Sequence, residues 1–298
     1  MIASIVGNYL MESGLITVEQ LHDLLKEHRK VRVKLGLIAV SEGLMSQEEA
    51  ERVYRLMAIM DMRFGEVAVQ EGYLTEEQVK YLKGKINNPY FAFAQVLENQ
   101  QIMKMEHLEE LSIDFQRDNH YSDSDMAALK SGNIDHILML YLPKGCERYE
   151  TVAGIVIRSL MLLVDRNVWV KDTHIVSRWE TRKGAFQEVT GHGGYTCGLV
   201  CEEDALAPVA CLYGQEHFMV VDEDALDAIG ELVNCVNGSI ASEKYEKTDD
   251  LELCTPQYST NLEAIEGREF LVLSLKLLDQ DVDLIISLND KITLTERV

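Results

Sequence analysis

A chain of 298 residues is long enough for two ordinary domains with separate cores. Its 28 Lys and Arg face 50 Asp and Glu, a formal net charge of -22. The surplus is uneven, with 12 basic against 18 acidic residues over 1–116 and 16 against 32 over the remainder. Such a balance repels nucleic-acid phosphate and anionic lipid, which argues against both as direct partners. No apolar run approaches the roughly 20 residues that span a bilayer, so membrane insertion is not expected.

The opening residues, Met1 to Glu12, carry no basic segment ahead of their apolar ones and do not read as a signal peptide. Six cysteines, at 146, 197, 201, 211, 235 and 254, form neither a Cys-x-x-Cys pair nor a tight framework. The expectation is a reduced, cytoplasmic protein.

Residues 1–116 repeat with a period of 29. Gly7, Gly36, Gly65 and Ala94 mark one position of the repeat; Gly14, Gly43, Gly72 and Gln101 mark another. The unit reads as two helices. A short apolar helix ends at the second glycine, which suits a left-handed C′ residue. Thr17, Ser46 and Thr75 then start the next helix, each three residues before Gln20, Glu49 or Gln78, the spacing of a capping box. The fourth copy, from Phe93 to Leu111, lacks both glycines and the cap, as a terminal repeat would. The pattern resembles the MshEN-type domain of type II secretion and pilus ATPases, in which paired copies bind cyclic di-GMP through an Arg that opens each copy. Arg63-Phe64-Gly65 fits that entry, whereas Lys34 and Ile5 stand at the equivalent places, and Lys lacks the flat fork of Arg. The residues favour an interaction module without nucleotide, with cyclic di-GMP at the repeats as the alternative.

Residues 117–145 begin with a polar stretch and form the expected linker. Asp123 or Ser124 would cap a short helix reaching Lys130, and Ile134 to Leu142 is ambiguous between helix and strand. From Tyr149 to Asp165 the apolar spacing is helical, and Val168-Trp169-Val170 starts a sheet. The order expected after that is strand, helix, strand, a second helix, strand and two terminal strands. Pro208 is expected to bend the helix that follows Val200. His192, Cys197 and Cys201 match no zinc spacing and read as a loop histidine with buried thiols. Gly191 to Gly194 precedes a strand, where a phosphate-binding loop requires a helix.

The second helix carries the chemistry. Asp227, Glu231 and Asn234 fall at offsets of 4 and 3, on one helical face, and Pro256 follows twenty-two positions after Asn234. A carboxylate grips a cation; a carboxamide holds a water by donor and acceptor. This arrangement resembles the signature of the CheC/CheX/FliY chemotaxis phosphatases, and the single Glu-x-x-Asn element is nearest the CheX type. The resemblance runs from about Cys146 to Val298, with the best match between Gly191 and Pro256. Together with the helical repeats at 1–116, the expected fold is in the α+β class: an all-α repeat domain at 1–116, then, as the resemblance implies, a CheX-like α/β sandwich at 146–298, with long helices on a mostly antiparallel sheet.

The resemblance also implies a reaction. The substrate would be the aspartyl phosphate of a phosphorylated CheY-like response regulator, in chemotaxis or related two-component signalling. Asn234 would orient the attacking water and Glu231 would dock the receiver's Lys. No intrinsic cofactor is implied, because the receiver domain brings the Mg2+. A two-fold homodimer is expected from the resemblance and from the apolar strands 270–278 and 282–288, whose edges would need covering. Asn237 lies on a neighbouring helical face. The alternative is a non-catalytic receiver-binding or cyclic di-GMP-responsive adaptor.

Overall fold

The computed structural model describes residues 1–28, 30–244 and 251–297. The chain divides into two compact units, Ile2–Asn133 and Ile134–Val298, with Met1 grouped with the second. The division falls inside the polar segment 117–145, which is shared between them.

The first unit is helical: α1 (Ile2–Glu12), α2 (Val18–Glu27), α3 (Leu35–Ser41), α4 (Gln47–Met60), α5 (Phe64–Gln70), α6 (Glu76–Gly84), α7 (Pro89–Asn99), α8 (Met105–Asp118) and α9 (Asp123–Ser131). Its repeat is built by local rules. Thr17 Oγ1 accepts from the Gln20 amide at 3.2 Å, and the Gln20 side chain accepts from the Thr17 amide at 2.8 Å. Ser46 with Glu49 and Thr75 with Gln78 repeat the same reciprocal pair. Each satisfies helix N–H groups that would otherwise have no partner. Gly14, Gly43 and Gly72 take φ of 72°, 65° and 77°, the left-handed turn that ends α1, α3 and α5.

The first glycine of each copy has a different purpose. A Cβ at Gly7 would lie 2.3 Å from Leu21 Cδ1, at Gly36 2.6 Å from the Tyr54 hydroxyl, and at Gly65 2.7 Å from Val79 Cγ1. These glycines let the two helices of a copy touch. The fourth copy holds Ala94 at this mark and Gln101, at φ 58°, at the other. It also starts α8 at Lys104 without a side-chain cap bond. The helix over 123–131 is capped by Ser122, one residue before the expected positions, because Ser122 Oγ reaches the Asp125 amide at 3.2 Å.

The second unit holds α10 (Ile134–Met139), a 3-10 turn at Glu147–Tyr149 and α11 (Glu150–Leu163). Then come β1 (Trp169–Glu180), β2 (Lys183–Thr190), β3 (Tyr195–Cys201), α12 (Ala207–Gly214) and α13 (Glu223–Lys244). The remaining strands are β4 (Glu252–Leu253), β5 (Gln257–Ser259), β6 (Leu262–Leu277), β7 (Gln280–Leu288) and β8 (Thr293–Glu296). They form one sheet in the order β1-β6-β7-β3-β2-β4, with β5 also on β2 and β8 on β6. Every pairing among the described residues is antiparallel. The class is α+β. Helix α13 packs on β2 and β3 and against α11. The opposite face buries Phe186, Val200, Phe270, Val272 and Ile285.

Three expectations are corrected, and one ambiguity is resolved. The element order is three consecutive strands and then two consecutive helices, not alternation. Residues 215–222 between those helices pair with no strand among the described residues and leave Met219 and Val220 exposed. Strands 270–278 and 282–288 are interior, each paired on both edges within the chain. They therefore give no reason for a dimer. Pro208 does not bend a helix, because it stands in the first turn of α12, where its missing N–H has no partner to lose. The ambiguous stretch beginning at Ile134 is helical, as α10, and ends at Met139 before Pro143.

Candidate functional site

Helix α13 starts at Glu223, where Asp222 Oδ1 accepts from the Ala225 amide at 3.0 Å. Its apolar side, including Leu226, Ile229, Leu232, Val233, Val236 and Ile240, is buried. That burial fixes the rotation of the helix and decides what faces outward. Asp227 and Glu231 are exposed, and Asn234, one turn further on, is half-buried.

The proline comes to the same place by a break in strand pairing. The chain after α13 runs beside β2 twice, as β4 at Val189 and Thr190 and as β5 from Gly184 to Phe186. Between them the pairing continues through Cys254, whose N–H donates to the Glu188 carbonyl at 3.0 Å, and opens at 255–256, where Pro256 has no N–H with which to continue it. The Pro256 ring instead lies against the helix, where a Cβ on Gly230 would be 3.3 Å from Pro256 Cβ. Gly230 lets the proline seat between Asp227 and Glu231. An open groove of about 590 Å³ results, lined by those two acids, Thr255, Pro256, Tyr258 and Glu296 among others. Three carboxylates make the groove a place for a cation such as a Lys side chain. Ser259 donates to Glu296 at 2.7 Å and holds that acid on the wall.

Asn234 is held from beneath. Its Oδ1 accepts from Gln187 Nε2 at 2.7 Å, and the same Nε2 donates to the Cys254 carbonyl at 2.8 Å. Gln187 Oε1 accepts from Asn237 Nδ2 at 2.8 Å. Gln187 and Asn237 are 1% and 0% exposed, so these amides are expensive to bury and must be paired. Asn237 Oδ1 has no partner among the described residues. Reversing that amide would set its oxygen against Gln187 Oε1, so the orphan follows from the Gln187 bond. An unmet buried acceptor costs about 1–3 kcal/mol.

On the far flank of Glu231 stands Tyr213 of α12. Its phenol pKa is pushed up, first by burial, then by a hydrogen bond with Cys235 and by the negative charge of Glu231. The thiols of β3 are inert. Burial raises Cys197 to about 12 and Cys201 to about 11, while His192 lies exposed in the preceding turn. No cluster of three or more His, Cys, Asp or Glu fit to hold a metal occurs among the described residues, and no described helix is long and apolar enough to cross a membrane.

Asp227, Glu231, Asn234 and Pro256 are therefore brought together as their spacing suggests. Asn237 is not on an accessible face. Gln187 went unnoticed in the sequence, although a signal existed: it sits at an inward position of alternation, between Ala185 and Val189.

No protein-family model and no curated protein matches the chain. Solved structures do resemble it. The chemotaxis protein CheX from Desulfovibrio desulfuricans superimposes with a TM-score of 0.41 at 13% identity, over 48% of this chain and 99% of that one. FliY from Thermotoga maritima gives 0.33 at 15%, over 49% and 91%. A CheX-CheY-BeF3-Mg2+ complex from Borrelia burgdorferi gives 0.31 at 12%, over 47% and 96%.

Proposed function

We propose that the second unit is a phosphatase acting on the aspartyl phosphate of a CheY-like response regulator. The observation that carries this reading is the junction of an exposed Glu231, a carboxamide one turn on and a proline-seated acidic groove on a single helix. The spacing of Asp227, Glu231, Asn234 and Pro256, which resembles the CheX-type signature, supplies the assignment of roles.

In this reading Glu231 meets the receiver's Lys at the rim of the groove as a charge-assisted pair and sets the register of the helix. Asn234 enters the receiver's active site and fixes a water in line with phosphorus. The water oxygen bonds to phosphorus, the bond from phosphorus to the Asp carboxylate oxygen breaks, and the carboxylate leaves as an anion. The water's protons pass to the released phosphate and to solvent. An amide is no base, and the loose transition state of phosphoryl transfer gains mainly from positioning. The receiver's magnesium is part of the substrate.

The 29-residue repeats are assigned an interaction role without nucleotide. Lys34, which stands where an Arg fork would be needed, has its ammonium over the Tyr54 ring at 5.7 Å, within reach of a cation–π contact. Titration calorimetry with cyclic di-GMP should give no binding heat.

The test of the main reading is phosphate release from a receiver phosphorylated by a small phosphodonor, with the wild-type chain and with Asn234→Ala. Acceleration by the wild type and its loss in the variant are expected. Unchanged acceleration by Asn234→Ala would leave a receiver-binding adaptor as the better account.

A further inference from the structure

We propose that Gln187 is a positioning residue that fixes which end of the Asn234 amide meets the reacting water. The proposal rests on the phosphatase reading for its catalytic consequence, but its structural part stands on hydrogen-bond logic alone. The Cys254 main-chain carbonyl can only accept, so the group facing it at 2.8 Å must be the NH2 end of Gln187. The second hydrogen of that NH2 points to Asn234 at 2.7 Å and requires an acceptor there. Asn234 therefore turns its Oδ1 inward. On the other side, Asn237 Nδ2 donates to Gln187 Oε1 at 2.8 Å, which agrees with the same orientation. Three amides are thus aligned by one unambiguous carbonyl.

The consequence lies at Asn234 Nδ2. Among the described residues no protein group accepts from it, and it is not among the buried atoms left without a partner, so it keeps contact with solvent. The helix presents a donor. A water held by Nδ2 uses one lone pair to accept that hydrogen bond and keeps the other for phosphorus. A reversed amide would offer only its carbonyl oxygen and would hold the water by a hydrogen, leaving its lone pairs without direction. Cys254 is held in place from the same strand, because its N–H donates to the Glu188 carbonyl at 3.0 Å while its own carbonyl accepts from Gln187.

The test uses the full chain, labelled with 15N, and the Gln187→Met variant, which keeps the volume and removes both donors. In the wild type the Asn234 side-chain NH2 should relax as a rigid group, and in Gln187→Met its order parameter should fall toward that of a surface Asn. A wild-type Asn234 amide already as mobile as a surface Asn would overturn the proposal, even if the variant did not fold. With a beryllofluoride-activated receiver, Gln187→Met should bind within about twofold of wild type, while kcat falls about tenfold from misorientation. Unchanged kcat, or a loss carried in KM alone, would overturn it as well. If the wild type releases no phosphate from any receiver, the phosphatase reading fails, and the relaxation measurement still decides whether Gln187 orients Asn234.

Discussion

The two units of this chain are specified at different ranges. In the first, every recurring device closes within one 29-residue copy: a cap to the third residue on, a left-handed glycine at a helix end, and helices of one copy touching across a bare Cα. In the second, the groove is lined by residues from α13, from the segment after it and from β8, separated by tens of positions, and Asn234 beside it is held by Gln187 of β2. The comparison teaches that a periodic sequence displays its own rules through repetition, because each rule is written several times. A site assembled once, across a sheet, shows the members that share a helix and a proline at a fixed remove, and hides the strand residue behind them.

The comparison can be broken most decisively at Asn234. Asn234→Ala should lower kcat about a hundredfold, the scale of losing a positioned reactant, with receiver binding nearly intact. It should also leave one hydrogen of Gln187 without its acceptor, costing about 1–3 kcal/mol in denaturant unfolding of the second unit only. Glu231→Lys has no buried partner to lose among the described residues, so its effect belongs to binding. Affinity for an activated receiver should drop about tenfold or more, most at low salt, with thermal stability unchanged.

A smaller effect tests the independence of the repeats. Gly65→Ala places a Cβ 2.7 Å from Val79 Cγ1, and a β-branched neighbour has little freedom to withdraw. Unfolding should show the first unit destabilised by about 1–3 kcal/mol, while phosphate release is unaltered. A matching loss in the second unit would show that the two do not fold as separate bodies.

Two finer changes sharpen the local side. Thr75→Ala removes one half of a capping box and should cost about 1 kcal/mol, read as a shift in the urea midpoint of the first transition. Gln101→Gly should gain stability by up to about 1 kcal/mol, since Gln101 holds φ 58°, where a Cβ is strained and glycine is not. That variant would bring the fourth copy back to the rule of the other three. No gain would mean that the Gln101 side chain contributes contacts that offset its strain.

By itself the sequence determined the repeat, its caps and glycine turns, the helix bearing Asp227, Glu231 and Asn234, and the presence of Pro256 at the right remove. These follow from helical geometry and local hydrogen bonding, which depend on spacing alone. Only the tertiary structure decided that Gln187 and Asn237 stand behind Asn234, that Pro256 seats on Gly230 and opens the groove, and that the strands 270–278 and 282–288 lie inside the sheet. Strand order and the meeting of distant polar groups are chosen by which buried faces and amides satisfy one another at once. That choice is a property of the packed whole, and no local window of the chain contains it.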